Sequence, residues 1–113
     1  MERMKVYADL VKRALDEYAS AVERGINVNY DVIRLFDDER QQYMVMKLGW
    51  QGKQRFQHIP LHVALKDDKI WIEADWTEQG IATYFLNNGV PHERIVLGFQ
   101  PPTMRPHTEF AVA

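Results

Sequence analysis

The sequence predicts an α+β fold: a long N-terminal helix packed on a four-stranded antiparallel meander, followed by a second helix and an extended C-terminal tail. Apolar residues recur with helical spacing up to residue 24, and the period falls to two from residue 31 onwards. The connections between the alternating segments are short, which favours antiparallel neighbours. With 113 residues, the chain has the size of a single domain, 1–113, with one hydrophobic core.

The first helix is predicted between Met4 and Arg24. Apolar side chains recur there at every third or fourth position, and Lys, Arg, Asp and Glu occupy the positions between them. Gly25 follows, and glycine commonly ends helices. The helix is therefore expected to be amphipathic, with one apolar face to bury.

Four strands are predicted from alternating apolar residues and from the turns that border them. They are Asp31–Asp37, Tyr43–Trp50, Ile59–Leu65 and Ile70–Ala74. Gln51–Lys53 and Lys66–Lys69 have the composition of tight turns between the last three strands. Pro60 has no N–H to donate, so the third strand is expected to be an edge strand or to contain a bulge.

The second helix is predicted to begin with a capping box, because Glu78 follows Asp75 at the required spacing. Asn88 and Gly89 are expected to close it. Beyond a short helical turn, Ile95–Leu97 could add a brief strand, and the proline-rich remainder is expected to be extended.

One helix can cover only one side of the sheet, and the opposite side also carries apolar residues. The alternation assigns to this second face Val32, Phe36, Tyr43, Val45, Phe56 and Trp71. Large exposed apolar surfaces usually mark contacts. We therefore expect it to be covered by the C-terminal segment, by a second copy in a homodimer, or by a different protein.

The composition excludes several functions. The absence of cysteine excludes disulfides, thiolate metal sites and thiol nucleophiles, and the only serine, Ser20, lies inside the first predicted helix. The formal net charge is -2 and the 14 Lys and Arg residues are scattered, which disfavours direct DNA contact by a monomer. No apolar stretch approaches the length of a membrane span. We expect no enzyme activity, no cofactor, no membrane contact and a cytoplasmic location.

No metal site is predicted. His58 and His62 lie on a predicted strand, where four residues span about 13 Å, too far for one ion. They are expected to face solvent. Glu73 and Asp75 point to the same side of a strand and could share a cation, but a helix-capping role explains Asp75 more simply.

The second half of the chain contains short motifs in a distinctive order. They are Lys69-Ile-Trp-Ile, Asp75-x-Thr77-Glu78, Gly80-Ile-Ala, Gly89-Val-Pro, Ile95-Val-Leu-Gly-Phe, Pro101-Pro102 and Phe110-Ala-Val-Ala. Together they resemble the XisI-like family, the excision controlling factors of the cyanobacterial fdxN element, and the likeness extends over essentially the whole chain. The resemblance implies an α+β fold and control of programmed DNA excision, together with an XisH-like protein that resembles a nuclease. It implies no catalysis by this chain.

The predicted partner interface combines the exposed sheet face, one tryptophan and the tail. Its candidate residues are Trp76, Pro101, Pro102, Arg105, Thr108 and Phe110. Trp76 stands where the family resemblance leads us to expect a small turn-forming residue, and Glu109 stands where glycine is usual. The alternative function is a direct DNA-binding accessory factor of site-specific recombination, which would use Lys53 and Arg55 paired across a dimer.

Overall fold

The computed structural model describes residues 2–25 and 29–113, and the α+β prediction is confirmed. The elements in chain order are α1 (Glu2–Glu23), β1 (Tyr30–Asp37), β2 (Gln42–Gln51), β3 (Gln54–Lys66), β4 (Lys69–Asp75), α2 (Ile81–Asn87) and β5 (Ile95–Leu97). Two short 3-10 turns lie at His92–Arg94 and Arg105–His107. None of the helices in the described ranges is both long enough and apolar enough to span a bilayer.

The sheet has five strands in the order β1-β2-β3-β4-β5, so the predicted four-stranded antiparallel meander is confirmed for β1–β4 but omits β5, the brief strand expected at Ile95–Leu97. The first four strands are antiparallel neighbours, whereas β5 pairs in parallel with β4. The connection from β4 passes through α2 and returns to the start of β4, and such a crossover gives parallel pairing. Ile95 and Val96 are fully buried in this added strand.

Two tight turns follow the sequence prediction closely. Gly52, the first residue of the turn between β2 and β3, has a φ of 63°. Asp67 and Asp68 join β3 to β4 with φ values of 55° and 62°. In the Asp67–Asp68 turn, both central residues have positive φ, which is the geometry of a type I′ turn. This turn type matches the right-handed twist of the strands on either side.

Packing of α1 on the sheet forms most of the hydrophobic core. The helix contributes the buried residues Tyr7, Leu10, Val11, Ala14, Leu15 and Ala19. The sheet contributes, among others, Tyr43, Val45, Leu61, Val63, Ile70 and Ile72, and α2 adds Ile81 and Phe85 on the same side. Burying one such side chain completely, as at Leu15, contributes about 2 kcal/mol.

The side chains on the two faces of the sheet are not the ones that the sequence pattern assigned to them. Val32, Phe36, Tyr43 and Val45 belong to the core under α1, and strand register also places Phe56 on that side. The opposite face instead carries Ile33, Leu35, Met44, Met46 and Leu48; of the residues assigned to it, Trp71 alone lies there. Both alternating sets of β1 and β2 are apolar, so alternation could not identify the set that faces the helix.

Pro60 lies at a bulge in β3, which is an interior strand, so the bulge alternative is confirmed and the edge-strand alternative is wrong. The register between β2 and β3 shifts between Val45 and Lys47, opposite this proline. His58 pairs with Lys47 and His62 with Met44, which places the two histidines on opposite faces of the sheet. The extra residue that the bulge adds to β3 reverses which face the following side chains point to, so residues four apart end on opposite faces.

The C-terminal tail folds into turns instead of remaining extended. The N–H of Met104 donates to the carbonyl of Pro101, and the N–H of His107 donates to that of Met104. Ala111 then forms a bridge with Val96, and its N–H donates to the Ile95 carbonyl at 2.9 Å. Proline fixes φ near the value that turns require, so these prolines favour turns as well as extended chain.

Arg34 connects the edge strand β1 to α1. Its guanidinium donates to Asp16 at 2.6 Å, to Ser20 at 3.1 Å and to Glu23 at 2.9 Å, three residues on one face of α1. The hydrogen bonds from Arg34 lower the pKa of Glu23 below its usual value. This carboxylate therefore stabilises the fold above pH 4.5, and the stabilisation is lost as the pH falls through the lowered pKa.

Replacing Arg34 by Gln should lower the free energy of unfolding at pH 7 by about 1 kcal/mol, because these hydrogen bonds are only partly shielded from water. Urea unfolding at pH 7 and pH 3 measures the effect. The difference in unfolding free energy from wild type should narrow as the pH falls towards 3, because the stabilisation from Glu23 is lost as the pH falls through its lowered pKa. An undiminished difference at pH 3 would contradict the proposed ionic contribution. Lys53→Gln, in the exposed turn between β2 and β3, is the control and should have little effect at either pH.

Candidate interaction surfaces

Trp76 is the most exposed large apolar residue of the described chain, with 74% of its surface accessible. It follows the last residue of β4, and its N–H donates to the Pro60 carbonyl at 2.9 Å. Its indole meets the His58 ring edge to face, at a centroid distance of 5.7 Å. The backbone is therefore fixed while most of the indole remains in solvent.

Asp75 holds the loop that presents Trp76. One carboxylate oxygen accepts hydrogen bonds from the N–H and the hydroxyl of Thr77, at 2.9 and 2.6 Å. The other accepts a hydrogen bond from the Ile81 N–H at 2.6 Å. The predicted capping box is wrong, because α2 begins at Ile81 and Glu78 lies in the preceding loop. Asp75 still caps the helix, from six residues upstream.

An aromatic row continues from Trp76 across the helix-side end of the sheet. Centroid distances are 5.7 Å from Trp76 to His58, 6.4 Å from His58 to Phe56 and 5.8 Å from Phe56 to Tyr30. The ammonium of Lys47 lies 5.5 Å from the Tyr30 ring. The sequence did not reveal this row, because its members come from three separate segments and meet only through strand register.

Arg105 holds the C-terminal tail in place. Its guanidinium donates to the carbonyls of Gln100 at 3.1 Å, Gly98 at 3.2 Å and Val112 at 3.4 Å. It also lies over the Trp71 ring, 5.3 Å from the centroid. These contacts engage Arg105 within its own chain.

Thr108 and Phe110 also make contacts within the tail. The Thr108 hydroxyl donates to the Arg105 carbonyl at 2.9 Å and accepts the N–H of Phe110 at 3.2 Å. The Phe110 ring lies 5.6 Å from that of His92 and packs against the main core. Three of the six candidate interface residues thus position the tail.

The other three candidate residues, Trp76, Pro101 and Pro102, are exposed. Trp76 borders an open cleft of about 470 Å³, whose lining consists of Glu73, Ala74, Asp75, Trp76 and Phe99. Phe99 is 46% exposed and lies two residues before Pro101. The structure therefore brings Trp76 close to the start of the tail, and it adds Phe99, which sequence reasoning missed.

The titratable residues considered for metal binding lie apart. His62 contacts the side-chain oxygen of Gln42 at 2.7 Å, whereas the His58 ring packs between Phe56 and Trp76 on the other face. Asp75 is engaged by the loop backbone. Within residues 2–25 and 29–113, no three His, Asp or Glu side chains are placed to hold one metal ion.

A second cleft, of about 450 Å³, lies between α1 and the loop before α2, with Tyr18, Leu61, Gly80 and Tyr84 among its lining residues. The Tyr84 hydroxyl donates to Glu17 at 2.6 Å. Burial and this hydrogen bond raise the pKa of Tyr84 above its ordinary value, so the phenol stays protonated at neutral pH.

The fold defines the class of protein: a small α+β domain with two helices on one side of a five-stranded mixed sheet. The XisI protein family model matches residues 1–112. A search among curated protein sequences found no match. The chain belongs to the XisI family.

Two crystal structures from Anabaena variabilis ATCC 29413 are similar over nearly their whole length. One is an XisI-like protein with 38% sequence identity and a TM-score of 0.87, covering 95% of this chain and 96% of that one. The other is the fdxN element excision controlling factor XisI, with 33% identity and a TM-score of 0.87, covering 98% of this chain and 99% of that one.

Replacing Asp75 by Ala should lower the free energy of unfolding by roughly 2 kcal/mol, because three donors of the loop and helix lose their acceptor. Thermal or urea unfolding measures the change. Hydrogen exchange of the Ile81 N–H should also accelerate. Glu78→Ala, in the same loop, is the matched control and should have little effect; equal losses in both variants would contradict the role given to Asp75.

Proposed function

We propose that this chain is a non-enzymatic cytoplasmic regulator that binds an XisH-like protein and thereby controls DNA excision. Membership of the XisI family supports this proposal, as does the likeness to a protein described as an excision controlling factor. The structural observation behind it is the cleft formed by Trp76 and Phe99, two exposed aromatic residues on a fixed backbone.

The chemistry of the cleft suits a protein partner. Tryptophan is enriched among residues that dominate binding energy, because its indole buries a large area with few rotatable bonds. Asp75 and the Pro60 carbonyl hold the backbone on both sides of Trp76, so little conformational entropy is lost on binding. Pro101 and Pro102 extend the exposed surface beyond Phe99 at low entropic cost.

Replacing Trp76 by Ala should weaken binding to the XisH-like protein of the same genome by about 30-fold, equivalent to 2 kcal/mol. Co-expression followed by light scattering gives the stoichiometry, and calorimetry gives the affinity. Trp50→Ala is the matched control, since Trp50 is 57% exposed and lies at a distant hairpin. Circular dichroism must show that both variants remain folded.

The result distinguishes the site from the function. If wild type binds the partner and Trp76→Ala binds equally well, the cleft is the wrong site. If wild type and partner remain separate at moderate salt, the proposed partnership itself is wrong. Phe99→Ala offers a second test from the opposite wall of the cleft.

A direct DNA-binding function is the second candidate, because Arg55 and Lys53 are both exposed near the β2–β3 hairpin. The Arg55 guanidinium lies 5.0 Å from the centroid of the Trp50 ring. A cation beside an exposed aromatic ring can contact a phosphate and a base together. Both residues lie at the β2–β3 hairpin end of the sheet.

This function predicts that DNA affinity falls steeply as salt rises. Reversing both charges, with Lys53→Glu and Arg55→Glu, should abolish binding in a fluorescence anisotropy titration. The milder pair Lys53→Gln and Arg55→Gln should reduce the salt slope by about 2, one for each lost phosphate contact. Unchanged binding by the charge-reversed protein would end this candidate.

A further inference from the structure

The sheet face opposite α1 carries a continuous apolar surface, here called the methionine patch. It consists of Ile33, Leu35, Met44, Met46, Leu48 and Ile59. Strand register pairs Ile33 with Met46 and Leu35 with Met44, so these side chains lie in adjacent rows. Leu35 is 43% and Ile59 is 38% exposed, and the other four are partly exposed.

The C-terminal tail covers a different part of this face. Ala111 packs against the small cluster of Ala64, Trp71 and Val96, on β3, β4 and β5. The patch lies on β1, β2 and the first half of β3, where no other part of the described chain forms a core cluster with it. The tail therefore covers one end of the face, and the methionine patch remains at the other.

The patch itself carries no charge, but its two sides carry charges of opposite sign. Asp31 and Asp37 lie on β1, the edge strand. Arg55 and Lys66 lie on β3, two strands away, and the Lys66 ammonium is 4.0 Å from the centroid of Trp71 on the same face. An acidic side and a basic side flank the apolar centre.

We propose that the methionine patch is the interface of a symmetric homodimer in which two sheets pack face to face. A second copy is the occupant that the charges favour. If the two-fold axis runs parallel to the strands, β1 of each copy lies over β3 of the other, and Asp31 approaches Arg55 of the second copy. An axis across the strands would place Arg55 near Lys66 of the second copy, where like charges repel, and Asp31 near Asp37, which already pairs with Arg40 of its own chain.

The size of the face suits a small dimer interface. Three strands spaced about 4.8 Å apart, with six residues each at about 3.3 Å, cover roughly 300 Å² in projection. Side-chain relief and the flanking charged residues add to this area, which places the interface below the roughly 800 Å² per subunit of standard interfaces and among the weaker, reversible ones. Sheets packed in this way place their inner faces about 10 Å apart, which flexible Met44 and Met46 can fill.

Sedimentation equilibrium between about 1 and 200 μM tests the dimer with no partner present, so its outcome is independent of the proposed function. Wild type should approach twice the 13.3 kDa of the single chain. Met44→Lys should weaken dimerisation at least tenfold, because it places a charge in the apolar centre. Val6→Lys, on the exposed side of α1, is the matched control and should leave the dimer intact.

A charge exchange between exposed residues tests the arrangement without altering the core. Asp31→Arg alone should weaken the dimer, and Asp31→Arg combined with Arg55→Asp should restore it. A wild type that stays at 13.3 kDa throughout, or a Met44→Lys variant that dimerises as wild type does, would overturn the proposal. A dimer indifferent to every Asp31 and Arg55 substitution would overturn the proposed axis.

Discussion

The structure depends on one constraint: both helices pack on the same side of the sheet. α1 buries its apolar face there, and α2 adds Ile81 and Phe85 to the same core. The polar edges of this contact are fixed by Arg34 and by the ion pair of Lys12 with Asp38 at 2.9 Å. Because the helices cover one side, the opposite side is left to the tail, which packs on one part of it, while the methionine patch on the other part stays partly exposed.

The tail covers part of the opposite face and is held there by a polar anchor. Arg105 joins three carbonyls of the tail and stacks over Trp71, so the segment is folded although it contains no long element of regular structure. Its candidate residues therefore divide into two roles. Arg105, Thr108 and Phe110 hold the tail, while Pro101 and Pro102 lie on the surface leading from the Trp76 cleft.

Sequence patterns predicted several features that local chemistry decides. The first helix follows from helical spacing, the turn at Asp67 and Asp68 from residue preference, and the bulge from Pro60. The exposure of Trp76 was expected from its place between a strand and a helix. Asp75 caps the second helix as expected, but its contact with the Ile81 N–H was not predicted, because a six-residue reach exceeds the standard capping motif.

By itself, the sequence determined the α+β class, the order of the main elements and the XisI family, since all three depend on spacing along the chain. Tertiary structure alone decided which apolar set faces α1, because both alternating sets of β1 and β2 are apolar. It also decided the parallel pairing of β5, the folding of the tail and the meeting of Trp76 with Phe99. These features depend mainly on contacts between residues far apart in the chain, such as Ala111 with Val96 and Arg105 with Trp71 in the tail, which spacing does not encode.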